Sequence, residues 1–257
     1  METIQSRERR SLDFPGRRPR VFEGVRPGVV RFLLLLLAVD AVFILLHVIY
    51  KLPVVFPALN LSLGQEFAMN QDGGYAEVFQ YLKEGFIVLV LSLVALRIRS
   101  YIGWALLFVY LLADDSFKIH EKLGGLVGER FDFPALFNLQ ARDIGELAVS
   151  AVFGLFLLAA IAIAYRLGDR RFRKSSRYLL LMLFALAATG IVADMLHEMT
   201  DPRLLRALFS IIEDGGEMVV MSVIACFVLS LGFSRSRDPN GAAEVLERQG
   251  GHDYPHA

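Results

Sequence analysis

Six runs of about 20 apolar residues take up most of this chain, at positions 30–50, 79–96, 101–121, 143–165, 178–198 and 211–233. Each is close to the length an α-helix needs to cross a hydrocarbon core. In lipid the backbone must satisfy its own N–H and C=O groups, so only helices or a closed barrel remain open to such segments. The runs are continuous, whereas a barrel strand alternates. The expected fold is therefore an all-α integral membrane protein with six transmembrane helices. At 55% hydrophobic residues, the chain also lies beyond ordinary soluble domains.

The net charge is zero, but the charges are sorted. One side is formed by the amino-terminal tail, the turns at 97–100 and 166–177, the carboxy-terminal tail and the adjoining helix ends. It carries 19 of the 27 Lys and Arg, among them Arg17, Arg18, Arg20 and the run Arg170-Arg171-Phe172-Arg173-Lys174. Eighteen of the 27 acids fall on the other side. By the positive-inside rule both termini are expected in the cytoplasm. Residues 1–28 read as a disordered basic arm, 29–233 as the transmembrane domain and 234–257 as a disordered tail. The arm suits anionic lipid; nothing else in the chain suits nucleic acid. Cys226 is the single cysteine, so no intrachain disulfide is available.

Acids and histidines recur within these apolar runs, where an unpaired charge costs several kcal/mol. Ala113-Asp114-Asp115 and His120-Glu121 lead across a loop to Asp143-Ile144-Gly145-Glu146. Ala193-Asp194-Met195-Leu196-His197-Glu198 leads to Asp214-Gly215-Gly216-Glu217. With Glu84, Glu146 and Glu217 aligned, Tyr81, Asp143 and Asp214 stand three residues earlier, and Asp40 with His47 opens a more diverged first copy. The pattern predicts three tandem helical hairpins in one orientation, with sites at their interfaces. The outer loops 51–77 and 122–141 are long and not very polar, with Pro and aromatic residues that suit the membrane interface. Trp104, Tyr101, Tyr178 and Tyr50 read as interfacial anchors.

The chemistry follows from spacing. Asp194, His197 and Glu198 stand at i, i+3 and i+4 and share a helix face, as do Asp143 with Glu146 and Asp214 with Glu217. Such a set shares the coordination logic of di-iron carboxylate bundles without implying kinship. Asp115, His120, Glu121, Asp143, Asp194, His197, Glu198 and Asp214 are the expected metal ligands. Oxygen and imidazole suit Zn, Mn or Fe(II). Glu146 and Glu217 are the expected general bases acting on metal-bound water.

The leading expectation is thus a metal-dependent membrane enzyme acting on a lipid or other apolar substrate. A divalent-cation transporter or metal sensor would use the same residues. So would a proton-linked protein whose carboxylate cluster binds no metal. Salt bridges from Lys83, Lys118 and Arg142 would tie the acids together without any ligand. The inner halves of the spans are almost wholly apolar, interrupted by Ser92, Thr189, Ser222 and Ser230, which argues for a site open to one face over a conduit.

Overall fold

A computed structural model describes residues 26–56, 58, 63–131, 133, 140–200 and 202–233; for Val54, Val55, Asp194, His197, Glu198 and Arg203 it describes the backbone alone. The two expected tails fall almost wholly outside these residues. All regular structure among the described residues is helical. The helices are α1 (Pro27–Val55), α2 (Tyr75–Arg97), α3 (Ile102–Phe117), α4 (Ile119–Phe131), α5 (Ala141–Leu167), α6 (Arg170–Ala187), α7 (Ala193–Glu198) and α8 (Arg203–Phe233). A π-helical turn, Ala188–Val192, joins α6 to α7. Five helices are long and apolar enough to cross a membrane: α1, α2, α5, α6 with its π-turn, and α8. The protein is accordingly a helical membrane protein.

The third apolar run is shorter than its sequence suggests. Helix α3 has 16 residues and stops at Phe117, because Lys118 takes a left-handed conformation (φ 53°). The chain then turns directly into α4, so the expected outer loop at 122–141 is helical as far as Phe131. Asp114 makes this corner possible. Its carboxylate accepts from the His120 backbone N–H at 2.8 Å, a donor that the start of α4 would otherwise leave unsatisfied.

Side-chain contacts fix the directions of the helices. Arg26, the residue before α1, donates to the carbonyl of Phe233 at the end of α8, and its guanidinium lies over the Phe233 ring. Helices α1 and α8 are therefore antiparallel, and the described chain starts and ends at one end of the bundle. Tyr101 packs edge-on against Phe172 at that same end, and the Trp104 indole N–H donates to Ser176 at 3.0 Å. Arg97, Arg99, Arg166 and Arg170 belong to it too, and we call it the basic end. His47, Met69, Lys118 and Ala141 lie toward the opposite, acidic end.

Helix α8 is the centre of the packing and lies against α1, α2 and α6. Helix α1 packs chiefly on α8 from the far end of the chain, not on its sequence neighbour. The core occupies the half of the bundle near the basic end, where Ile87, Leu91, Trp104, Phe108, Ile224 and Val228 are nearly or wholly inaccessible. Trp104 and Tyr101 are thus core residues and not the expected interfacial anchors; both are buried, and the one donor of Trp104 is satisfied by Ser176. Leu34, Leu45, Leu89, Leu96, Leu155 and Phe156 face outward, as lipid contact requires.

Glycine permits the closest approaches. A Cβ on Gly145 of α5 would run into the backbone of Gly124 in α4, and one on Gly128 into the Ala141 carbonyl. These three glycines bring two helix backbones together, as small residues do in membrane packing. Gly216 in α8 takes the Thr189 side chain in the same way.

Candidate functional site

Asp40, Lys83 and Ser222 meet deep in the bundle. Each lies roughly 11–14 residues from the basic end of its own helix, about 17–21 Å along the axis. The Lys83 ammonium donates to Asp40 at 3.0 Å, to the Met218 carbonyl at 2.8 Å and to Ser222 at 3.4 Å. Ser222 in turn donates to the second oxygen of Asp40 at 2.6 Å. The ammonium also stands 4.8 Å from the centroid of the Phe79 ring. Asp40 is wholly buried and Lys83 nearly so. Every donor and acceptor of this pair has a partner, which makes a buried ion pair tolerable.

Glu84, beside it on α2, is in a different position. It is fully buried, and neither carboxylate oxygen has a hydrogen-bond donor among the described residues within ordinary geometry. The charged groups that act on it are Asp115, Glu217 and Lys83, and the Asp115 carboxyl interacts with it most strongly. Two acids from α2 and α3 thus face each other, a third from α8 stands near, and the adjacent ammonium is already committed to Asp40. Glu217 lies against Gly190 of the π-turn, occupying the space that a side chain there would need.

From Asp115 the polar groups continue toward the acidic end. The Tyr81 hydroxyl, which has one proton to give, lies within hydrogen-bond reach of two acceptors, the Glu77 carboxylate and the Asp115 carbonyl, the latter at 3.0 Å. Asp114, next in sequence, turns away and pairs with the His120 ring at 3.0 Å. That hydrogen bond holds the imidazolium form of His120 above its usual range, against the opposing effect of partial burial. About a third of the His120 side chain is exposed, so the series reaches the surface. On the surface itself Arg142 holds Glu146 at 2.6 Å and Glu121 at 3.3 Å, and Lys118 pairs with Asp72 and approaches Glu121 at 3.8 Å.

A second polar contact joins α1 to α8. The Nδ1 of His47 accepts from the Met69 backbone N–H at 2.9 Å, which leaves the proton of neutral His47 on Nε2. Nε2 faces Ser210 at 3.5 Å, and Ser210 donates to Asp214 at 3.2 Å. His47 is wholly buried and hydrogen-bonded.

The expected ligands are therefore divided among different partners. Asp115 faces Glu84; His120 pairs with Asp114; Glu121 and Glu146 are held by Arg142. Asp143 closes a capping box with Gln140 at the start of α5, and Asp214 takes Ser210. Glu217 stands near Glu84. The side chains of Asp194, His197 and Glu198 lie outside the described residues. Among the described residues no three His, Cys, Asp or Glu side chains assemble into a metal-holding group.

The sequence reading missed Ser210, Ser176 and the partnership of Asp40 with Lys83. The last was discoverable, because the two residues stand at matching depths on helices of opposite direction and carry opposite charges. In the sequence Ser222 is only a weak interruption of an apolar run, whereas in the fold it completes the ion pair.

Residues 76–231 match the family described as domain of unknown function DUF8692, and the chain belongs to that family. The match takes in Lys83, Glu84, Asp115 and Glu217 but begins after α1, which supplies Asp40 and His47. No curated protein and no solved structure matches the chain.

Proposed function

We propose that this is a six-span membrane protein, with both termini in the cytoplasm, that binds a proton at the Glu84–Asp115 pair and exchanges it with the opposite face. The burial of Glu84 beside two further carboxylates, with Lys83 already neutralised by Asp40, carries this reading. Two carboxylates in a low-dielectric interior repel strongly when both are ionised. A proton on one converts that repulsion into a short, charge-assisted O–H···O hydrogen bond. Tyr81, Asp114 and His120 provide polar company from the pair to the acidic end. In the other direction stand Ile87, Leu91, Phe108 and Ile224, all buried and apolar. A proton that enters from the acidic end returns there, which suits a proton-responsive element better than a channel.

The contact of Arg26 with Phe233 supports six crossings. Five crossings would leave the two ends of the chain on opposite faces; α3, about 24 Å long, supplies the sixth. The positive-inside distribution supports the orientation. The tandem repeat rests on the sequence alignment of Glu84, Glu146 and Glu217, while the packing of α1 on α8 speaks against a first hairpin formed by α1 and α2.

A bound dication would relieve the same repulsion. In that rival reading Asp194, His197 and Glu198 join Asp115 and Glu217 as ligands to Zn, Mn or Fe, in an enzyme or a transporter. Proton counting and elemental analysis on the purified full chain separate the two. Wild type is expected to bind one more proton near neutral pH than Glu84→Gln. Stoichiometric metal that disappears in Glu84→Gln, with no difference in proton count, would replace this reading by the rival.

A further inference from the structure

Four basic residues of α6, Arg170, Arg173, Lys174 and Arg177, line an open cleft of about 540 Å³ with Tyr178. Their spacing of three, four and seven residues puts them on one face of the helix. The opposite face, Phe172, Ser176 and Leu179, is buried against the bundle. The one acid at this corner, Asp169, is occupied in capping the helix, where it accepts from the Phe172 N–H at 2.8 Å. Arg177 is steadied by Tyr165 of α5 at 2.8 Å. Among the described residues none of the four forms an ion pair with a carboxylate.

The same face changes character one turn further on. Leu181 and Phe184 continue the stripe and are each about two-thirds exposed, at 66% and 65%. One side of α6 therefore offers concentrated positive charge at the basic end, then tyrosine, then bare apolar surface at membrane depth. This matches an amphiphile: an anionic head, an ester region at the interface and an acyl chain below. The volume of the cleft is ample for a headgroup.

We propose that this face of α6 is a binding site for an anionic phospholipid of the leaflet at the basic end, its phosphate held by Arg173, Lys174 and Arg177 and a chain lying along Leu181 and Phe184. The inference is separate from the proton site and requires only that the protein lie in a membrane.

The test is native mass spectrometry of the delipidated full chain in mild detergent, with phosphatidylglycerol or phosphatidylcholine added. Phosphatidylglycerol is expected to be retained in preference to phosphatidylcholine. The triple variant R173Q/K174Q/R177Q should lose about a hundredfold in apparent affinity for it, at roughly a factor of five for each basic residue near the surface. Phosphatidylcholine retention should not change. R173K/R177K keeps the charge and should keep most of the binding; K174Q alone should show a graded loss should the triple variant fail to fold. Glycerol phosphate should compete poorly, because it lacks the chain. Equal retention of the two lipids by wild type, or competition by glycerol phosphate as strong as by the lipid, would overturn the proposal.

Discussion

Lys83 and Asp40 illustrate what one residue can and cannot do at membrane depth. Together with Ser222 and the Met218 carbonyl they form a closed set of hydrogen bonds. Removing one partner leaves the other charged and buried, so Lys83→Met or Asp40→Asn should each cost about 3–5 kcal/mol. The double variant should cost distinctly less than the sum, because the two residues act as a unit. Unfolding of each variant in detergent, followed by circular dichroism, reads this coupling. His120 makes a gentler, pH-dependent contribution. Its folded pKa is raised by Asp114 above the usual 6.5, so the stabilisation is fully present below about pH 6.5 and lost as pH rises through the raised value. The stability gap between wild type and His120→Ala should therefore be larger at acid pH than at alkaline pH; a gap that widens with pH would contradict it.

At the scale of elements, the contact of α4 with α5 depends on atoms that are not there. Gly145 lies against the backbone of Gly124, whereas Gly125, one residue on, has open space where a side chain would go. Gly145→Ala should destabilise by about 1–3 kcal/mol through overpacking. Gly125→Ala should be neutral or gain up to about 1 kcal/mol from helix propensity. Thermal melts of the two variants make a matched pair, and equal effects would show that the helices are not packed as described.

Legibility in the sequence divided along similar lines. Continuous apolar runs located the long helices well, because lipid leaves the backbone no alternative. The corner after Phe117 could not be read, since it depends on Asp114 capping α4, and no hydropathy pattern reveals a side chain that bonds to an amide six residues on. The acids stand out in the sequence as an unusual feature, but their partners are not legible there. Whether Glu121 meets a metal or Arg142 is decided by helix packing, not by spacing along one helix.

Over the molecule as a whole, the buried carboxylates among the described residues lie on the acidic side of the apolar core, and the basic residues of α6 gather at the other end. The meeting of Arg26 and Phe233 puts the start of α1 beside the end of α8, and the proposed sixth crossing by α3 can be tested. Cysteines placed at Arg170 and at Asp72, in a Cys226→Ala background, should be labelled from opposite faces of a sealed vesicle by a membrane-impermeant thiol reagent. Labelling of both from one face would break the six-span arrangement.

A proton held between buried carboxylates can be seen by infrared spectroscopy of the reconstituted protein in H₂O and D₂O. A protonated-carboxyl C=O band is expected at neutral pH that shifts in D₂O and is absent in Glu84→Gln. A wild-type spectrum showing only ionised carboxylates at neutral pH would contradict it.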